Sequence, residues 1–259
     1  MTTMVLAAGD EFVAPGVKDF FLPPIFGEVT KPMVLLVLSI LIIGAFFIAA
    51  TRNLKLVPGK FQFAAESLYD VGRNTIAREQ IGAKDFKPFV PLILTVFTFV
   101  LVNNLFGLIP LVQFPTMSHI GFPLAVSVLV IYPVYHFVGF KRHGFLGYLK
   151  HQTMPPGAPW FVLILLIPIE FFQKFFLNPL TLAIRVFAAM FAGHLLLLVF
   201  TLAGEYLLFA GGITVVVAPV AFVFAIALTF LEALIMVLQA YIFALLSANY
   251  IGAALAEEH

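Results

Sequence analysis

The chain has 259 residues, 62% of them hydrophobic and 10% charged, with 31 Phe, a mean hydropathy of +1.09 and a formal net charge of +1. A soluble domain holds roughly 45–50% apolar and about 25% charged residues, so an apolar excess spread over the whole length points to a bilayer rather than to one buried core. The absence of Cys excludes a disulfide framework, thiolate metal sites, iron–sulfur clusters and Cys nucleophiles, and the near-neutral charge excludes the strongly basic surface used for nucleic-acid binding.

A helix needs roughly 20 apolar residues to cross about 30 Å of hydrocarbon. In chain order the expectation is an N-terminal extension over 1–32, then membrane segments from Met33 to Ala50, Phe89 to Val112, Phe122 to Phe140, Phe161 to Ala203 and Val215 to Ala254. The last two are about twice the length of a perpendicular span, so they must tilt, bend or project. Barrel strands fit poorly, because they require alternating segments and these runs are apolar all round. The first 30 residues lack the basic start and apolar stretch of a signal peptide. Between the first two spans, 61–81 reads as an amphipathic helix along the cytoplasmic interface, with Phe61, Ala64, Ala65, Leu68 and Val71 on one side and Gln62, Glu66, Asp70 and Arg73 opposite. A solvated loop helix is the competing reading.

Basic residues set orientation, because cytoplasmic loops retain them. Arg52, Lys55, Lys60, Arg73, Arg78, Lys84 and Lys87 lie between the first and second segments, and Lys141, Arg142 and Lys150 follow the third. The connections after the second and fourth segments have none, and the N-terminal stretch sets Asp10, Glu11, Asp19 and Glu28 against Lys18 and Lys31. The N-terminus is therefore expected outside, and the C-terminus, ending AEEH, in the cytoplasm.

The polar residues of the last two segments carry the chemistry. An Arg at mid-membrane costs about 2.5–3.5 kcal/mol on insertion scales, which makes Arg185 a functional candidate by default. It lies about 18 residues before Ala203, too far to snorkel easily. Residues sharing its helix face are Ala188, Ala189, Ala192 and Gly193, small enough to let a second helix approach the guanidinium. Pairing with a carboxylate of the same chain, or ordinary packing, are the competing readings. Glu232 and Gln239, seven residues apart, share a face of the fifth segment. In an antiparallel hairpin, one register sets Arg185 level with Gln239 and His194 level with Glu232 to within about 3 Å, with its turn near Gly211 and Gly212. His beside a carboxylate can exchange protons near neutral pH, whereas Arg keeps its proton and acts as a fixed charge that favours the ionised form of a passing acid. A satisfied buried pair is the alternative for His194 and Glu232, and plain interhelical bonding for Gln239.

The stretches VPGKFQ, FVPLILTVFTFVLVNNLFGLIP, NPLTLAIRVFAAMFAGH and LQAYIFALLSANYI resemble subunit a of the F-type rotary ATP synthases, closest to bacterial members, over nearly the whole chain. The resemblance implies an all-α integral membrane protein whose last two segments form a long tilted hairpin. It implies a stator that passes protons through two offset half-channels to and from a ring of c subunits, itself non-catalytic and without cofactor or metal. Its partners would be that c-ring, the b-subunit peripheral stalk and membrane lipid, in the bacterial plasma (inner) membrane. Arg185 matches the family's essential arginine and Gln239 the glutamine near it; His194 and Glu232 match positions where acid and histidine occur in either order. After a bend at Pro168, Glu170, Lys174, Asn178 and Thr181 would line the cytoplasmic half-channel, with His194 and Glu232 in the outer one. The chain departs from the family pattern in having Ala188 and Ala189 where relatives often read Gly-Asn or Ala-Asn after Arg-Leu-Phe. His119 stands near where relatives carry an acidic or amide residue, so it is either an outer-mouth proton acceptor or a solvated loop residue. Asn103 and Asn104 read as interhelical hydrogen-bonding residues.

Two other classes are weaker. A stand-alone proton-coupled secondary transporter predicts paired repeats with broken helices in both halves, and polar residues gather only in the C-terminal half. An intramembrane enzyme predicts motifs such as HExxH or GxSxG, which are absent.

Overall fold

The computed structural model describes residues 12–25, 27–52, 54–110, 112–154 and 159–256. The charges at Asp10 and Glu11 and the last three residues of the AEEH terminus lie outside them. Every regular element of length among the described residues is helical. We number them α1 (Lys31–Thr51), α2 (60–81), α3 (Lys87–Leu105), α4 (Gly121–Thr153), α5 (Trp160–Phe209) and α6 (Thr214–Leu255), of which all but α2 are long and apolar enough to cross a membrane. Large apolar side chains such as Leu41, Ile48, Leu129, Ile164, Phe230 and Leu234 point outward, as lipid solvation allows.

The second segment stops at Leu105 rather than at 112. Gly107 and Pro110 follow, and a Cβ on Gly107 would come within 2.7 Å of the Met236 Cε and 3.1 Å of Pro115, so the chain leaves the helix where it passes closest to α6. The third continues past Phe140 to Thr153, but it is broken at Gly144, which has φ 71° and ψ 169°. Only glycine adopts that backbone without strain. The break folds 145–153 back onto the end of the membrane segment, where Tyr148 is fully buried over Gly139, leaving no room for a Cβ there.

Three helices contain π-helical stretches, Val71–Arg78 in α2, Val126–Ile131 in α4 and Gln173–Leu177 in α5. Each widened turn takes up extra residue and shifts which faces align. In α2 the inward stripe is Ala65, Gly72, Ile76, Ala77 and Ile81, with Leu68 and Val71 half-buried, while Glu66, Asp70 and Arg73 face out. Three assignments of the expected amphipathic face are corrected, since Ala64 is also exposed. Gln62 is buried, because its amide bonds the backbone of Lys55 and the Glu66 carboxylate; Phe61 is 65% exposed and stacks at 5.7 Å on Phe46 of α1.

The helices pack around α6, which touches α3, α4, α5 and the end of α2. Ala240, Ala244 and Ala248 are fully buried one turn apart on α6, and such small side chains let neighbouring backbones approach closely. Around them lie Ile93, Val96 and Val100 of α3 and Leu182, Val186 and Met190 of α5. Polar side chains join the helices as expected of Asn103 and Asn104: Asn103 Nδ2 donates to Ser39 Oγ of α1 at 2.9 Å, and Asn104 Nδ2 to the Met236 carbonyl of α6 at 3.2 Å. At the other end of α6, Asn249 donates to Gln80 and Gly252 lies against the Gln80 carbonyl. The α5–α6 turn falls at Gly211 and Gly212, with φ of 75° and 67°.

Candidate functional site

The site lies on the α5–α6 hairpin. On α5, Leu182, Ala183, Val186, Met190 and His194 face inward, while Thr181, Ile184, Arg185, Ala188 and Ala192 face out. The helical period alone produces this division, since steps of three and four residues return to one face. Ala189 and Gly193 flank the exposed stripe, half-buried. Arg185 thus stands on an outward surface of small side chains, and no carboxylate among the described residues lies within 4 Å of it. Pairing with an acid of the same chain is therefore not what holds it. The hydroxyl of Tyr250, from the last turns of α6, lies near the Thr181 side chain and the guanidinium.

About two and a half turns further along α5, His194 meets Glu232 across the hairpin, each 3% exposed, with Nδ1 3.5 Å from Oε1. The contact is close but not aligned as a hydrogen bond, and neither carboxylate oxygen receives one from the described residues. Buried polar groups are normally paired, so this carboxylate has room for a hydrogen-bond donor. The Glu232 side chain packs beside Gly193, where a Cβ would make ordinary contact at 3.6 Å from Cγ. Gln239 is half-buried, with its Oε1 buried and unbonded. The hairpin thus has a register that sets His194 against Glu232.

The residues expected in the other half-channel are arranged differently from one another. Glu170 and Lys174 pair one turn apart at 3.4 Å, and the Lys174 ammonium also donates to the Gln152 carbonyl of the folded-back end of α4 at 2.7 Å. Tyr135 donates to the Lys174 carbonyl. Lys174 is thereby a tie between α4 and α5. Asn178 is half-buried, and its carbonyl accepts from the exposed Thr181 hydroxyl. His119 is not a solvated loop residue: its Nε2 lies 2.9 Å from the Phe20 carbonyl and its ring is surrounded by Phe21, Phe114 and Phe122.

Two participants were missed in the sequence. Tyr250 follows Gln239 by eleven residues, three helical turns, so spacing alone would have put both on one face. Phe20, whose ring lies 6.0 Å from that of His194, left no signal in a stretch read as an extension.

The family model of the ATP synthase A chain matches residues 33–252. Among relatives named ATP synthase subunit a, the protein of a Nocardioides species is 46% identical, with 98% of this chain and 96% of that one covered. That of Pseudarthrobacter chlorophenolicus is 44% identical over the full length of both, and that of Streptomyces lividans 42% identical over 97% of this chain and 90% of its own. With the family model covering residues 33–252 and this similarity from end to end, the chain belongs to the ATP synthase A chain family.

Proposed function

We propose that this multi-pass bacterial membrane protein is the proton-channel subunit of an F-type ATP synthase, a non-catalytic stator against which a ring of c subunits turns. The observation that carries the reading is Arg185, a cation on an outward face of small residues with no acid beside it among the described residues. A carboxylate arriving on a neighbouring helix would meet a fixed positive charge and lose its proton there. Each charge crossing gains about 2.3 kcal/mol per 100 mV, so several protons are needed per ATP. The basic residues around α2 and after the third segment support a cytoplasmic C-terminus and an external N-terminus. That orientation makes His194 and Glu232 the outer relay, with the Glu170, Lys174, Asn178 and Thr181 side nearer the cytoplasm. The peripheral stalk of b subunits would hold the chain in place. A stand-alone transporter is not favoured, since the relatives above share one name and span the chain from end to end.

The direct test of the reading is ATP-driven proton pumping by membrane vesicles whose synthase carries an Arg185 variant. For the relay, the double exchange H194E/E232H is expected to recover more pumping than H194E or E232H alone, because the pair keeps one acid and one imidazole at the same separation. No recovery would count against direct coupling of the two.

A further inference from the structure

We propose that Phe20 controls access to the His194–Glu232 pair: it is an apolar stopper, held in place by His119, that keeps outer water from the pair until its segment moves. Phe20 belongs to a short 3-10 helix, Val17–Phe20, whose other members Val17, Lys18 and Asp19 are exposed, as is Phe21; yet Phe20 itself is 3% exposed. Its ring lies edge-on 6.0 Å from His194, 4.5 Å from Phe191 and 6.4 Å from Phe114. Phe191 and Leu195 flank His194 on α5 and join the same apolar cluster. The face of the imidazole turned toward this end of the bundle is thus covered by hydrocarbon supplied from outside the membrane helices.

What fastens the cover is limited and specific. A carbonyl can only accept, so the 2.9 Å contact with Phe20 fixes His119 as the Nε2-protonated donor. Within the turn, the Asp19 carboxylate accepts from the Gly16 N–H at 2.7 Å. Lifting this segment exposes Phe20 and Leu22, separates Phe21 from His119 and Phe12 from Tyr206, and breaks the His119 bond to the Phe20 carbonyl, still less than moving a membrane helix. Proton exchange with a pair buried to 3% requires water to reach it, and the Phe20 segment is the cover that comes from outside the membrane helices.

The absence of Cys provides the test. In vesicles holding the whole synthase, L195C gives this chain a single thiol beneath Phe20, and a charged, membrane-impermeant methanethiosulfonate is added on the outer side. With F20A the labelling rate is expected to rise roughly tenfold or more, the shift from losing one buried aromatic side chain. H119F, which keeps a ring but loses the donor, is expected to raise it by less, and F20L to return it close to the parent rate. An unchanged rate in F20A overturns the proposal, as does an equal rise at A225C, a buried reporter about two turns from Glu232 along α6 that would register general loosening. The proposal rests on the outer position of the pair given above, but labelling requires no proton flow. Retained pumping in Arg185 variants would therefore overturn the stator reading without changing these rates, and unchanged rates would overturn the stopper without affecting pumping.

Discussion

Replacing Arg185 with Ala is expected to reduce ATP-driven proton pumping to background while the chain still inserts and assembles. The side chain is exposed on α5 and makes no ion pair among the described residues, so its loss opens no cavity and leaves no buried acid unpaired. What is lost is the field. An opposite charge within about 4–6 Å lowers a carboxyl pKa by roughly 1–3 units, so removing it weakens proton release from an arriving acid by about ten- to a thousand-fold. The same substitution removes the cation that repels a proton running straight through, so passive leak is expected to rise as pumping falls. R185K should restore little, because a flexible ammonium replaces a planar fork at a different reach. Dye-reported acidification of vesicles on ATP addition, compared with ATP hydrolysis by the same vesicles, separates loss of coupling from loss of enzyme. Undiminished acidification would end the stator assignment.

A second large effect is expected where α6 finishes. A Cβ on Gly252 would fall on the carbonyl oxygen of Gln80, inside contact distance, with the Ile81 Cα at 3.2 Å. The obstacle is backbone, which cannot swing aside as a side chain can. Overpacking of a tight contact costs about 1–3 kcal/mol, and G252V should stand at or above the upper end. It would also draw Asn249 away from Gln80 and loosen the junction of α2 with α6. G252A should be milder than G252V, and G44A, whose Cβ would meet nothing within 4 Å, should be neutral. The check is the amount of chain retained in membranes and its thermal unfolding within the purified complex. Equal stability of G252V and G44A would show that the junction yields.

These contrasts mark what the sequence makes visible. Spans are legible because hydrocarbon demands length, and the hairpin is legible because charged and amide side chains at mid-membrane are too costly to occur without a partner at the same depth. Hence His194 and Glu232 could be set opposite each other, and the turn at Gly211 and Gly212 located, before any coordinates. The faces of the apolar helices were not legible. In lipid the outward side is as hydrophobic as the inward one, so Leu234 and Met236, two residues apart on α6, look alike in sequence although one is exposed and the other fully buried. The fold-back at Gly144 and the burial of Gln62 escaped for another reason. Each depends on a neighbour distant from the local window, Tyr148 settling over Gly139 and the amide of Gln62 closing on Lys55. Lys174 looked like a channel residue because an ammonium in an apolar run invites that reading, whereas Glu170 and Gln152 bind it in place.

The widened turn at Gln173–Leu177 has a consequence for the length of the chain rather than for its chemistry. An ordinary helix rotates by about 100° for each residue removed, so shortening 178–184 by one would swing the guanidinium off its outward side. A turn that already contains surplus residue can surrender it and relax to ordinary winding with the downstream surface still aimed where it was. This stretch gives α5 slack: a one-residue deletion just ahead of Arg185 can be absorbed there with the guanidinium kept on its outward side.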